Sequence, residues 1–518
     1  MMLAEVAGQR GNLQVALNQY LELARETSDP RVIRRAIDVA TFAQRSDAGL
    51  ELARQWLQVS PDSLQARQVL AGLLIATGKL EEARPHVASL LAGEGPHVGA
   101  GLLRLNRLFL RTPDKLAALA FVEDVTEPYL ERYEAHVARA EAASIARQPE
   151  RALAYIDKAL VRKPDAEQAA QAKAQLLQRQ SPDRAREFVR DYLRAYPQAS
   201  ELRLQYARAL AAEKKYAEAR SQYEKVLAAA PNNQDVQFAV ALIALQVKDY
   251  AAADAGFRRL LAEDFREPDA LRVYLGNIAE ERKQWDVARK WYEQVGEGEQ
   301  WQQAQLRIGH VLAQQGDVEG AARHFTAVAT TVTEKAPFVL AHVAVLREAG
   351  RTDDAYRLAD QALAEAPNNT DLLYESALIA EKLGRLDVLE TNLRKVIRLK
   401  PEDAHAYNAL GYSLADRNLR LDEAKELVAR ALQLAPDDPF ILDSMGWVLY
   451  RQSDLNGALS YLQRAYGIRQ DPEIAAHLGE VLWMLGRKSD AAKTWKEASA
   501  ANPGNEVLNG VIKRFQGK

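Results

Sequence analysis

The chain of 518 residues has no cysteine. Disulfides, thiolate metal sites and cysteine nucleophiles are therefore excluded, and neither an oxidising nor a reducing compartment is favoured. An excess of charge of one sign is missing too: 68 Lys and Arg face 71 Asp and Glu, a net charge of -3. Chains that grip phosphate backbones carry a clear basic surplus, so no nucleic-acid partner is expected. No apolar run approaches the roughly 18 residues that a membrane span needs. The best of them, Val69 to Ala76, reads as a buried helix face. The amino terminus lacks the charged-then-apolar order of an export signal, because Glu5, Gln9 and Arg10 interrupt it.

Chemistry-bearing motifs are equally scarce. The eight histidines (His86, His97, His136, His310, His324, His342, His405 and His477) are scattered, with no His-Glu-x-x-His and no close pair on one helix face. They read as packing or surface residues, so neither a metal nor a cofactor is expected. There is no Gly-x-Ser-x-Gly. Gly93-Glu94-Gly95 with Gly99 and Gly101 faintly suggests a phosphate loop, but no strand precedes it. Acidic pairs such as Glu81-Glu82 and Asp353-Asp354 fall just where second helices begin, the helix end that favours carboxylates. Asn368-Asn369-Thr370 matches a glycosylation acceptor but reads as a turn. Composition is otherwise ordinary for a folded chain, at 48% hydrophobic and 27% charged.

What is present is repetition, cleanest between Pro401 and Pro503. One copy reads A-Y-N-A-L-G-Y-S-L-A-D-R and then L-D-E-A-K-E-L-V-A-R-A-L-Q-L-A-P, from Ala406 to Pro436. A second runs from Leu442 to Ala465, and a third from Ala475 through Ala491, Trp495 and Ala498 to Pro503. Each is two short amphipathic segments around a polar turn, mostly closed by proline, at a period of roughly 34 residues. The pattern is similar to the tetratricopeptide repeat: bulky residue, Leu-Gly, bulky residue, Ala-x3-aromatic, Pro. Packing explains the residue types. Gly411, Gly446 and Gly479 sit where a second helix presses on the first, and Ala424, Ala458 and Ala491 are the small residues facing them. Tyr407, Leu410, Leu414 and Trp495 fill the seam.

The small residue of the second helix can be followed along the whole chain, through Ala16, Gly49, Ala83, Ala118, Ala152, Ala185, Ala219, Ala253, Ala288, Ala321, Ala355, Ala424, Ala458 and Ala491, with Leu389 as the exception. The expected architecture is all-α: a tetratricopeptide-repeat solenoid, a right-handed superhelix of stacked helix pairs. Residues 1–29 form a partial amino-terminal pair, 30–504 about fourteen pairs, and 505–518 a carboxy-terminal capping helix. Ala16, Tyr20 and Leu23 read as a second helix whose partner lies upstream of Met1, so its apolar face is expected to be uncovered. Gly93 to Pro128 is the weakest unit, with Asn106 at the glycine position. Local bends are expected there and at Gly296-Glu297-Gly298-Glu299.

Stacked pairs present a long concave surface and no closed pocket that excludes water, so binding rather than catalysis is expected. In the tetratricopeptide geometry the fifth, ninth and twelfth residues of each first helix face the groove. In the last units these include Tyr374, Asn408, Tyr412, Asp443, Trp447, Tyr450, Glu480 and Trp483, the candidate protein-binding surface. The large aromatics either plug the narrow side of the superhelix or serve as binding anchors, with Asn408, Asp443 and Glu480 as hydrogen-bonding groups for an extended segment.

The run from Asn408 to Trp495, with N-A-L-G-Y-S-L-A-D-R, D-D-P-F-I-L-D-S-M-G-W-V-L-Y-R-Q and D-P-E-I-A-A-H-L-G-E-V-L-W, resembles a group of proteobacterial tetratricopeptide proteins attached to the outer membrane. In length and layout the whole chain is most similar to those members that are lipoprotein partners of a periplasmic carboxyl-terminal processing protease. The resemblance implies a lipoprotein on the periplasmic face of the outer membrane. It would bind this serine protease and promote degradation of its clients, hydrolases that cut peptidoglycan cross-links. The chain departs from the group in having no lipobox and no cysteine, so a lipid anchor would have to lie outside it. A scaffold for exopolysaccharide secretion or outer-membrane assembly uses the same fold and is the alternative.

Overall fold

The computed structural model describes residues 12–110 and 112–517, and every regular element among them is helical. Residues 1–11 and Lys518, parts of the expected terminal elements, lie outside the described residues. Helices follow one another as antiparallel pairs, from Pro30–Phe42 with Ser46–Val59 to Pro472–Met484 with Lys488–Ala501. Leu13–Thr27 precedes them and Glu506–Gln516 closes the array. This is an all-α solenoid of stacked helix pairs.

Local sequence signals set the helix boundaries. In the last units the first helix begins on a polar cap. Asn369, Asp403, Asp438, Asp471 and Asn505 each accept a hydrogen bond from a backbone N–H of the first helical turn. Such a cap satisfies a donor that the helix itself leaves free. Asn369 is thus a cap in an inter-repeat turn. Proline then ends the second helix, as at Pro401, directly after Leu386–Leu399 and its cap Lys400. In most pairs the turn between the two helices passes through a left-handed residue. Gly384 takes that place with φ +72°, and Lys214 with φ +60°.

The small residues make close helix contact possible. A methyl group on Gly411 would stand 2.6 Å from Val428 Cγ2 and 2.9 Å from the Ala424 carbonyl oxygen. On Gly446 it would stand 2.5 Å from Leu462 Cγ, and on Gly479 it would run into the Trp495 indole. Ala424, Ala458 and Ala491 are all fully buried opposite.

The chain divides into two compact units, Met1–Asp249 and Tyr250–Lys518. In the first, a continuous apolar core runs from Tyr20 to Leu176. The face of Leu13–Thr27, expected to be uncovered, is instead buried at Ala16, Leu17, Tyr20 and Ala24. Tyr20 and Ala24 pack in one core with Ile33, Ala36 and Ile37 of the next helix.

The weak unit of the first half keeps its place by a different device. Its first helix ends at Arg104 and continues as a 3-10 turn, Leu105–Phe109. Asn106, at the glycine position, is buried and donates to the Ala138 carbonyl (2.8 Å) and to Glu141 Oε2 (3.0 Å) of Tyr133–Ile145, the first helix of the next pair. A polar group at a buried seam has to be paired, and this one is. Gly99 and Gly101 are occupied from outside by Glu134 and Glu94, which fill the space their side chains would take. That contact accounts for a Gly-rich stretch with no phosphate-loop geometry.

In the second unit the main core extends from Leu373 to Val511. It contains Trp447, with Tyr374, Tyr412, Tyr450 and Trp483 packed against it.

Candidate functional site

Four successive first helices carry the candidate residues: Thr370–Lys382, Ala404–Asp416, Pro439–Arg451 and Pro472–Met484. These helices start one repeat apart and pack through one core, so residues about 34 positions apart lie side by side. Asp443 and His477 are one such pair. His477 Nδ1 is 3.0 Å and 2.9 Å from the two Asp443 carboxylate oxygens, and each residue is only 7% exposed.

Aromatic rings enclose that pair. The Trp447 ring stacks on His477 with centroids 4.2 Å apart and an interplanar angle of 24°. Tyr412 approaches the imidazole from the preceding helix at 6.2 Å, and Tyr450 lies 5.0 Å from Trp447. Burial pushes the His477 pKa down, but the adjacent Asp443 carboxylate, with Glu480 and Glu473 beyond it, outweighs this and leaves it above its ordinary 6.5. The ring stacked on Trp447 is therefore an imidazolium at mildly acidic pH, a cation held over an aromatic face.

A second polar set lies one repeat further on. Glu480, 5% exposed, accepts from the Tyr450 hydroxyl at 2.9 Å and from Arg514 of the closing helix. Burial first, and then the Glu480 charge, push the Tyr450 phenol up to about 12. Burial likewise raises Tyr374 and Tyr412. Trp483 is half-buried, 5.8 Å from Trp495 and 6.0 Å from Phe515, with the Lys488 ammonium 5.1 Å over its ring.

The structure thus brings Tyr412, Asp443, Trp447, Tyr450 and Glu480 together around His477, which in the sequence alone reads as ordinary packing. Asp443 and Glu480 were expected to offer their oxygens to a bound segment. They use them inside the chain instead, because an unpaired carboxylate buried to this degree costs too much to persist. Trp447, at 6% exposed, is a core residue. The faces still open belong to the half-buried Tyr374, Asn408, Tyr412, Tyr450 and Trp483. Two buried polar atoms are left over, the Asn408 carbonyl Oδ1 and the Trp447 indole Nε1, neither with a hydrogen-bond partner.

A signal for this cluster was in the sequence, as complementary charges one repeat apart. Asp443 and His477 are separated by 34 residues, and so are Glu480 and Arg514. An Asp–His pair is also part of hydrolytic machinery, but here its ring is stacked against tryptophan and shut from solvent, so no substrate carbonyl reaches it. Among the described residues no group of His, Asp and Glu could hold a metal ion. No described helix is long and apolar enough to cross a membrane.

Comparison with known proteins fits this architecture. Models of the tetratricopeptide repeat match residues 176–243 and, in the second unit, 340–388, 390–439 and 444–506. TPR repeat-containing protein PA4667 of Pseudomonas aeruginosa is 32% identical over 552 aligned residues, spanning 100% of this chain and 88% of its own length. Cellulose synthase operon protein C of Pseudomonas fluorescens is 28% identical over 171 residues, 30% of this chain and 13% of that protein. Among solved structures, the thermophilic TPR protein TTC0263 of Thermus thermophilus is 24% identical, covering 35% of this chain and 96% of its own at a TM-score of 0.32.

Proposed function

This chain belongs to the tetratricopeptide-repeat proteins, and from that membership we propose that it is an adaptor which brings a periplasmic protease to its substrates. At the coarser level it is a non-catalytic scaffold for protein–protein interaction. One observation carries that much: from Leu13 to Gln516 the described chain is helix pairs and the turns between them, a surface for polypeptides on which the buried Asp443 and Glu480 carboxylates are already paired.

The finer reading rests on resemblance. The run from Asn408 to Trp495 and the overall layout are similar to LbcA, the outer-membrane lipoprotein adaptor of a carboxyl-terminal processing protease. In that role the chain sits on the periplasmic face of the outer membrane. It binds the serine protease and presents peptidoglycan cross-link hydrolases to it. Its contribution is effective concentration and positioning, not bond chemistry.

A second reading is favoured by the partial likeness to cellulose synthase operon protein C: a scaffold for exopolysaccharide secretion. Affinity capture from a bacterial envelope extract distinguishes the two. The adaptor reading expects a carboxyl-terminal processing protease together with peptidoglycan hydrolases. Recovery of polysaccharide synthase or export subunits instead, with no protease, overturns it.

A further inference from the structure

Stacking antiparallel pairs sets the turns inside them along one edge of the array. In the first unit the successive first helices Tyr133–Ile145, Glu167–Gln180, Ser200–Ala212 and Gln234–Gln246 end on that edge. Past three of them stand Arg147, Lys214 and Lys248, all left-handed, with φ of 57°, 60° and 59°. In other repeats the same place in the turn belongs to a glycine, at Gly78, Gly316, Gly350, Gly384 and Gly486. A residue with a Cβ is strained in this region and glycine is not. The remaining helix, Glu167–Gln180, is joined to its partner by Ser181 alone and carries Arg179 at its end.

All four cationic side chains are exposed, and among the described residues none of them has a hydrogen bond, an ion pair or a ring contact. The turns also hold two acids, and both are engaged. Glu213 is bonded by Arg186 and by Lys215, each at 2.8 Å, and Asp249 by Arg220 at 3.3 Å. The surrounding stretch is basic as well. Residues 144–249 contain 18 Lys and Arg against 13 Asp and Glu, in a chain whose net charge is -3, so the rest of the chain is distinctly acidic.

We propose that this edge of turns is a docking ridge for an acidic segment of a partner polypeptide, met by Arg147, Arg179, Lys214 and Lys248 at one cation per repeat. Neighbouring helix axes lie about 8–10 Å apart, and an extended chain advances about 3.3 Å per residue. A carboxylate at every third position therefore meets successive cations. The left-handed φ carries the argument furthest: a long cationic side chain stands where the fold itself accepts glycine. A cation near a helix C-terminus also favours the helix dipole, but the last helical turn offers that benefit at an unstrained φ. An anionic bilayer would face the acidic remainder of the chain as well as the ridge, whereas a single acidic strand touches the ridge alone. Exposed ion pairs are weak singly and screened by salt, so the row acts by number. Docking here is independent of the protease reading.

The test uses the full chain and a fluorescein-labelled peptide, Asp-Gly-Ser-Asp-Gly-Ser-Asp-Gly-Ser-Asp, followed by anisotropy. Saturable binding is expected at about 20 mM salt, weaker by about tenfold or more at about 300 mM, and lost when Asn replaces every Asp. The variant Arg147→Gly/Lys214→Gly/Lys248→Gly weakens the peptide roughly tenfold. Its unfolding midpoint stays or rises, because glycine relieves the left-handed φ. A control that removes as many exposed cations from the second helices, Arg162→Gln/Arg194→Gln/Lys225→Gln, stays within about twofold of the parent chain. The proposal is overturned if no salt-sensitive binding is seen, if the glycine variant binds unchanged or loses stability, or if the control loses as much affinity. Phosphatidylglycerol vesicles that bind tighter than the peptide at equal anion concentration, and are likewise lost in the glycine variant, overturn it in favour of a membrane-docking edge.

Discussion

Replacing Trp447 by alanine separates two roles that a groove tryptophan can have. The ring lies 4.2 Å from the His477 imidazole and 5.0 Å from Tyr450, within the core that links Leu373 to Val511. Truncation removes that packing and leaves a cavity beside the Asp443–His477 pair. Removal of a buried aromatic side chain costs about 3–5 kcal/mol. A surface anchor behaves differently: its loss weakens binding by roughly 2 kcal/mol or more, while stability changes by no more than about 0.5 kcal/mol. Repeat arrays transmit such damage mainly to nearest neighbours, so the loss should be local. Hydrogen exchange resolved by segment is therefore the assay. Amides of Pro439–Arg451 and Pro472–Met484 are expected to lose about 3–5 kcal/mol of protection, with the first unit unchanged. A loss below about 1 kcal/mol in those two helices would refute the core assignment, since buried aromatics do not come out so cheaply.

Two further expectations follow from the same unit. Because the His477 pKa is raised above 6.5, its pair with Asp443 stabilises the fold fully below that pH, and the contribution fades as pH rises through the raised value. Urea unfolding of the second unit should give a midpoint that falls from pH 6 toward pH 9, and Asp443→Asn should flatten this dependence; a midpoint that rises over that range contradicts the assignment. Gly411→Ala should cost about 1–3 kcal/mol, because the added methyl group meets the Ala424 carbonyl as well as a side chain. Gly467→Ala, in open space on the Leu455–Ile468 helix, should stabilise by roughly 0.5–1 kcal/mol, and equal effects of the two in chemical unfolding would show that the seam is not tight.

Most of the fold was legible because it is written many times. Close helix approach needs a small residue at the same place in each pair, so Gly411, Gly446 and Gly479 mark the seam without any coordinates. The polar caps and the closing prolines mark helix ends for equally local reasons. Where a repeat solves its packing in a different way, the pattern says less. Asn106 in place of glycine read as weakness, yet it is a buried donor fixing one helix to the next. The candidate surface was legible as positions but not as states. Spacing places Asp443, Trp447 and Glu480 on groove-facing positions; it does not say that neighbouring first helices come close enough to bury them. Their burial depends on His477 and Arg514, partners one repeat away whose significance appears only when facing helices are compared residue by residue.

The adaptor reading meets its most direct test in a reconstituted degradation reaction. A purified peptidoglycan cross-link hydrolase is incubated with a purified carboxyl-terminal processing protease, with this chain present or absent, and with the chain alone as a control. If the chain acts by holding protease and client together, degradation should accelerate by roughly tenfold or more at concentrations below the protease's own affinity for the client. The chain alone should leave the hydrolase intact. Cleavage by the chain without protease, or an unchanged rate when it is added, would contradict the account.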